Sequence, residues 1–170
     1  MMHDVQAIRR PETRLEGKTP VGADQSIDFN GLNSLFGFQI GILHAIITTK
    51  LEVRLRPLGL SPKLASVLWL SDANPGIPQL VLTRLFGVNR TTINAFVRDL
   101  RDKNLIYLEQ SENDKRVFGI HLTEEGKRIL PVLKAIVIEF EREFERSIGA
   151  NSAAMFNQLV EVLKIKSLDG

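Results

Sequence analysis

The stretch from Gln79 to Gly126 constrains the fold of this chain more than any other, because five short structural patterns follow one another there with little between them. Gln79 to Phe86 reads as a helix, Gly87 supplies the permissive residue of a tight turn, and Asn89 can cap a second helix that runs through Val97 to Asp102. Leu105 to Glu109 and Val117 to Leu122 are strand-like runs. They are joined by Ser111-Glu112-Asn113-Asp114-Lys115-Arg116, a polar turn carrying two adjacent cations.

This is the order of a winged helix-turn-helix, in which the first helix braces and the second enters a DNA groove. The segment resembles the multiple antibiotic resistance regulator (MarR) family of bacterial transcription factors. The resemblance rests on Leu82, Phe86-Gly87-Val88-Asn89, Arg90-Thr91-Thr92-Ile93, Leu100 and Lys103-Asn104-Leu105-Ile106. It continues through Asp114-Lys115-Arg116 and Leu122-Thr123-Glu124-Glu125-Gly126, so it is close over about a third of the chain. It extends more loosely from Leu32 to the C-terminus and does not cover the first thirty residues. It implies a mainly α fold with a small β-hairpin wing, dimerised through its N- and C-terminal helices. Two-fold symmetry then sets two reading helices on successive major grooves of a near-palindromic operator.

The flanks fit one domain at 31–170 behind a flexible tail at 1–30. The winged region is expected at about 60–122, and dimerisation helices at about 31–56 and 123–166. Met1 to Asp28 mixes both charge signs with Pro11, Gly17, Pro20 and Gly22 and shows no period that could bury a face. From Gly31 to Arg56, Leu32, Leu35, Phe36, Ile40, Leu43, Ile47, Leu51 and Leu55 recur at helical spacing until Pro57. Gly37 and Gly41 lie one turn apart in that helix, which suggests close approach by another backbone or a ligand. Ser61-Pro62 starts the next helix, with Leu64, Val67, Leu68 and Trp69 as its buried face, and Asn74-Pro75-Gly76 breaks the chain. Beyond the wing, Thr123 can cap a helix that tolerates Pro131 near its start and buries Leu133, Phe140 and Phe144 before Gly149. A last helix from Ser152 to Lys166 is expected to bury Phe156, Leu159, Val160 and Leu163. The predicted order is four helices, two strands and two helices. The terminal helices carry more apolar surface than one small winged domain can cover, which favours a bundle between subunits.

Arg90, Thr91, Thr92 and Asn94 cluster on the first turns of the reading helix, and Arg98 follows Asn94 by one turn. An asparagine amide can pair with adenine, an arginine fork with guanine, and a threonine with a phosphate or the thymine methyl. Arg98 has an alternative partner in Asp102, four residues on, and Thr92 can instead pack against the brace helix. Lys115 and Arg116 can reach a phosphate or the minor groove, while Gln79 can donate to a phosphate or cap its helix. The resemblance implies that Asp114 orients Arg116 by an ion pair. The chain departs from the family in having Leu108 and Glu109 where many relatives carry arginine, which weakens phosphate neutralisation on that strand. It also has Asn104 where glycine is common after the reading helix, and asparagine tolerates the same left-handed backbone.

The family resemblance also implies an effector, often a small aromatic acid, phenol or related metabolite, held between the first, second and fifth helices. Phe36, His44 and Trp69 offer aromatic faces and a titratable ring there. Arg54, with Arg56 nearby, can supply charge to a carboxylate or to an acyl-coenzyme A, or can simply favour the helix C-terminus. A lone histidine on such a face is more often a satisfied core residue, and plain core is also the favoured reading of Trp69. The expected function is a repressor released from its operator by an aromatic or acyl-thioester metabolite. The alternatives are a ligand-dependent activator and a winged module used only for protein contacts.

Charge decides little, since the net +2 is too small to imply nucleic acid without a local patch. With no cysteine there is no disulfide, thiolate metal site or thiol switch, which removes the family's oxidant-sensing branch. His3, His44 and His121 show no metal-ligand spacing, and no phosphate-cradling loop or nucleophile elbow occurs, so no metal, cofactor or enzymatic activity is expected. No apolar signal core or membrane-spanning stretch appears, which makes the cytoplasm the expected address.

Overall fold

The computed structural model describes residues 27–111 and 115–168, with side chains as far as 162. The expected tail therefore falls outside the described residues up to position 26. The chain divides into two units, Met1–Ile40 and Gly41–Gly170.

In the first unit, Asn30 and Gly31 both have positive φ, and they lead into a 3-10 turn at Leu32–Ser34. The Asn30 N–H donates to Asp28 Oδ1 at 2.9 Å, and Gln39 Nε2 donates to the Asn33 carbonyl at 2.9 Å. Phe29 meets Phe38 edge-on with centroids 5.9 Å apart. Helix α1, Phe36–Leu55, begins here. Leu32, Leu35, Phe36 and Ile40 are exposed.

The second unit holds the rest of α1, then α2 (Pro62–Ala73), β1 (Ile77–Pro78), α3 (Gln79–Phe86) and α4 (Arg90–Asp102). It continues with β2 (Ile106–Gln110), β3 (Phe118–Leu122), α5 (Glu124–Ile148) and α6 (Ala150–Leu168). Local chemistry sets the boundaries. Ser61, Asn89 and Thr123 each accept a backbone N–H three residues on, at 3.3, 2.8 and 3.0 Å, so three helices start on side-chain caps. Gly87 ends α3 at φ 61°, and Asn104 takes φ 56° after α4, as expected of it.

Leu55, Val67, Leu68, Leu82, Ile93, Leu100, Ile120 and Leu133 are fully buried, so each of α1 to α5 and β3 contributes to one core. Burying each such side chain is worth about 1.5–3 kcal/mol. Ser71, also buried, satisfies its hydroxyl by donating to the Val67 carbonyl at 2.9 Å.

Four expectations are corrected. A third strand exists: β1 pairs antiparallel with β3, Ile77 opposite Ile120, so the sheet order is β1-β3-β2. Two residues after a proline-containing turn carry no readable alternation, and only β3 reveals their pairing. Phe156 is not buried on α6 but 44% exposed, with Leu159 and Val160 only half-buried; Leu163 lies outside the described side chains. The helical period marks a face without saying that the same chain covers it. Nor does this chain's own backbone approach Gly37 or Gly41, where an added Cβ would meet no described atom within 4 Å. Finally, His44 is exposed, although it shares a stripe with Ile47.

Candidate nucleic-acid interface

Helix α4 divides its residues by helical spacing. Ile93, Val97 and Leu100 are buried, which leaves Arg90, Asn94 and Arg98 stacked at four-residue intervals on the exposed side with Thr91 beside them. Thr92 is half-buried and held locally, since its N–H and its hydroxyl both donate to Asn89 Oδ1, at 2.8 and 2.9 Å. Those two bonds tie Thr92 to the cap, while Arg90, Thr91, Asn94 and Arg98 are exposed. The possible Arg98–Asp102 pair does not form; Asp99 pairs with Lys103 at 3.0 Å instead. Among the described residues no ion pair engages Arg90 or Arg98.

The wing brings Lys115 and Arg116 to the surface, both exposed, at the start of the strand that returns to the core. Asp114, to which the family pattern gives the orienting role, lies outside the described residues. Gln79 is the first residue of α3 and half-buried, and its carbonyl accepts the Thr83 hydroxyl at 3.0 Å. The helix is capped by Pro78 without a side-chain bond, so Gln79 does not serve as its cap.

These elements enclose a groove of about 390 Å³ between α3, the first residue of α4 and the start of β3. Gln79, Arg90 and Arg116 line it, together with Arg84, which the sequence reading missed. Leu80 and Arg84, one turn apart on the exposed side of α3, are the signal that could have found it. Among the described residues no carboxylate lines this groove; residues 112–114, which precede its wing edge, lie outside them.

The other face of the hairpin is different in kind. Tyr107 stacks on His121 at 5.3 Å, and Glu109 Oε2 lies 3.5 Å from His121 Nε2, so this strand position is acidic and locally engaged.

The residues proposed for an effector are distributed as follows. Phe36 is exposed in the first unit. In the second unit, exposed His44 has Nε2 3.5 Å from Thr48 Oγ1, and Arg54 donates through two nitrogens to the Glu143 carboxylate. Arg54 lines a groove of about 440 Å³ with Lys50, Phe140 and Phe144; His44 and Trp69 do not line it. Trp69 is half-buried beneath Lys134, whose Nζ sits 5.2 Å from the indole and 2.9 Å from Asp72 Oδ2. The tryptophan is thus part of the α2–α5 packing.

A brace helix, a glycine turn, a capped reading helix and a three-stranded wing sheet define a winged helix-turn-helix. Residues 60–118 match the MarR family, so this segment is similar to the winged-helix regulators of that family. It is 30% identical over 86 residues to a Thauera aromatica protein named for transcriptional regulation of the hcr operon, a match covering 51% of this chain and 52% of that protein. The chain spans about half the length of the curated relatives it matches. The transcriptional repressor CouR bound to a 23-mer DNA duplex superposes with a TM-score of 0.73 at 25% identity, covering 82% of this chain and 99% of that one. CouR from Rhodococcus jostii RHA1 bound to p-coumaroyl-CoA gives 0.69 at 22% identity, covering 78% and 93%. Among the described residues no helix is long and apolar enough to cross a membrane, and no cluster of metal-ligating side chains occurs.

Proposed function

We propose that this chain is a transcriptional regulator that binds double-stranded DNA as a homodimer. Arg90, Thr91, Thr92, Asn94 and Arg98 read the major groove, and Gln79, Lys115 and Arg116 hold the backbone, with Asp114 orienting the wing. The observation that carries the reading is the exposed face of α4, where Arg90, Asn94 and Arg98 stand in line. The likeness to the DNA-bound CouR repressor supports it. Dimerisation is supported by the exposed apolar residues Ile42, Ile46 and Val53 on α1 and Met155, Phe156 and Val162 on α6.

The protein acts as a repressor in this proposal and is released by an aromatic or acyl-thioester metabolite bound by His44, Arg54 and Trp69 of the second unit. A protein of the same fold in complex with p-coumaroyl-CoA supports that ligand class. Release requires the ligand to bind the DNA-incompetent form more tightly, and a tenfold loss of operator affinity needs only about 1.4 kcal/mol of such preference.

The test is selection of operator DNA by the wild-type protein, followed by titrations at several salt concentrations. Asn94→Ala should cost about 1–3 kcal/mol at one base position, whereas Arg116→Ala should weaken all sequences and lower the salt slope by about 1. Wild-type levels of binding by both variants would reject the assigned helix and wing.

A further inference from the structure

We infer that the free edge of β2 is a docking site for an extended segment of another polypeptide, which joins the sheet as a fourth strand. The sheet order β1-β3-β2 gives β2 a neighbour on one side only. Its register shows which backbone groups are left over. The Leu105 carbonyl accepts the Thr123 N–H at 3.1 Å, and the Ser111 N–H donates to the Val117 carbonyl at 2.9 Å. With the pairing regular between those two bonds, Tyr107 and Glu109 turn their polar groups toward β3. Ile106, Leu108 and Gln110 therefore point N–H and C=O away from the sheet. A row of alternating donors and acceptors is complementary to the backbone of another strand, whereas a DNA backbone brings acceptors alone.

Edge strands that stay single are commonly blunted by lysine, proline or a bulge. Ile106 to Gln110 contains neither residue, and its pairing with β3 is unbroken over its length. The one charge on the strand, Glu109, is engaged by His121 at 3.5 Å. A groove of about 580 Å³ is lined by Ile106, Tyr107 and Leu108 of this strand, by Phe118 of β3, and by Arg101 and Asp102 from the last turn of α4. Phe118 is 46% exposed, so the groove has an apolar floor that takes every second side chain of an added strand. Arg101 and Asp102 are exposed, and among the described residues no ion pair engages either. The occupant is thus an extended peptide, apolar at alternate positions where it passes Leu108 and Phe118 and carrying charges of both signs where it passes α4.

Decapeptides selected from a displayed random library against the full chain are the probe, and amide exchange resolved by residue is the readout. In the free protein the Leu108 and Gln110 amides should exchange fast and those of Tyr107 and Glu109 slowly. A selected peptide should slow the first pair at least tenfold. N-methylation of every second peptide nitrogen should weaken binding about tenfold in one frame, the loss of two backbone bonds, and little in the other. Gln110→Pro removes an outward N–H at an edge position and should weaken the peptide severalfold, while Gln110→Ala should not. Slow exchange of Leu108 and Gln110 in the free protein would show a closed edge and overturn the proposal. So would a library that yields no binder, or peptides that bind without slowing these amides. Slowing that appears only as protein concentration rises would give the edge to a second copy of this chain. Slowing by duplex DNA alone would give it to nucleic acid, and either result would overturn the assignment.

Discussion

Alanine at position 126 should destabilise this chain, although alanine is the better helix former. Gly126 is buried in the first turn of α5, where its N–H donates to Thr123 Oγ1 at 3.0 Å. An added Cβ would lie 2.1 Å from the Leu105 carbonyl oxygen and 3.3 Å from Leu122 Cγ. That oxygen already accepts the Thr123 N–H at 3.1 Å, while the Thr123 hydroxyl donates to the Asn104 carbonyl at 2.6 Å. The clash cannot be relieved by a rotamer, since the obstacle is backbone. The start of α5 must draw away from the turn that joins α4 to β2, and the Thr123–Leu105 bond stretches as it does. Overpacking costs about 1–3 kcal/mol and a weakened hydrogen bond about 1 kcal/mol, against a gain in helix propensity of at most about 1 kcal/mol. The expected net loss is about 1–3 kcal/mol. Urea unfolding of Gly126→Ala and wild type at one protein concentration should show a lower midpoint with an unchanged slope. A midpoint equal to or above that of wild type would show that propensity wins, and the account of this turn would be wrong.

Two further outcomes follow from the long helices. Burial, with Glu145 one turn away, pushes the Glu141 carboxyl above its ordinary range, so the charged form is penalised in the folded state. Glu141→Gln should therefore stabilise near neutral pH by no more than about 0.5 kcal/mol, and the gain should vanish as pH falls below the carboxylate range; a gain that grows in acid would contradict this. Sedimentation at micromolar concentration should show two chains for the wild type and one for Phe156→Asp with its helical signal kept; a monomeric wild type would remove the proposed dimer.

What the sequence disclosed was mostly what a few neighbouring residues decide. The caps at Ser61, Asn89 and Thr123, the turn at Gly87 and the left-handed Asn104 each depend on chemistry within a few positions, and all were readable. Strand β1 was not, because Ile77-Pro78 is too short for any period and is defined by a partner more than forty residues away. Arg84 escaped for a related reason: its place beside Arg90 and Arg116 is created only when three elements meet. The reading of Phe156 as buried failed because periodicity identifies an apolar face but not its cover. The role of Asp114 stays a proposal drawn from the family pattern.

The short strand β1 has a mechanical consequence. With β3 in the middle of the sheet, the wing is held on one side by β2 and on the other by the segment that leads directly into α3. Gly76 N–H adds a bond to the Ile120 carbonyl at 3.0 Å, just ahead of that pairing. A hairpin attached only through its own strands could swing like a door, but this one is riveted along both edges of its inner strand. Because β1 runs directly into α3, β3 and the start of the brace helix share one hydrogen-bonded frame, and a shift of either carries the other with it.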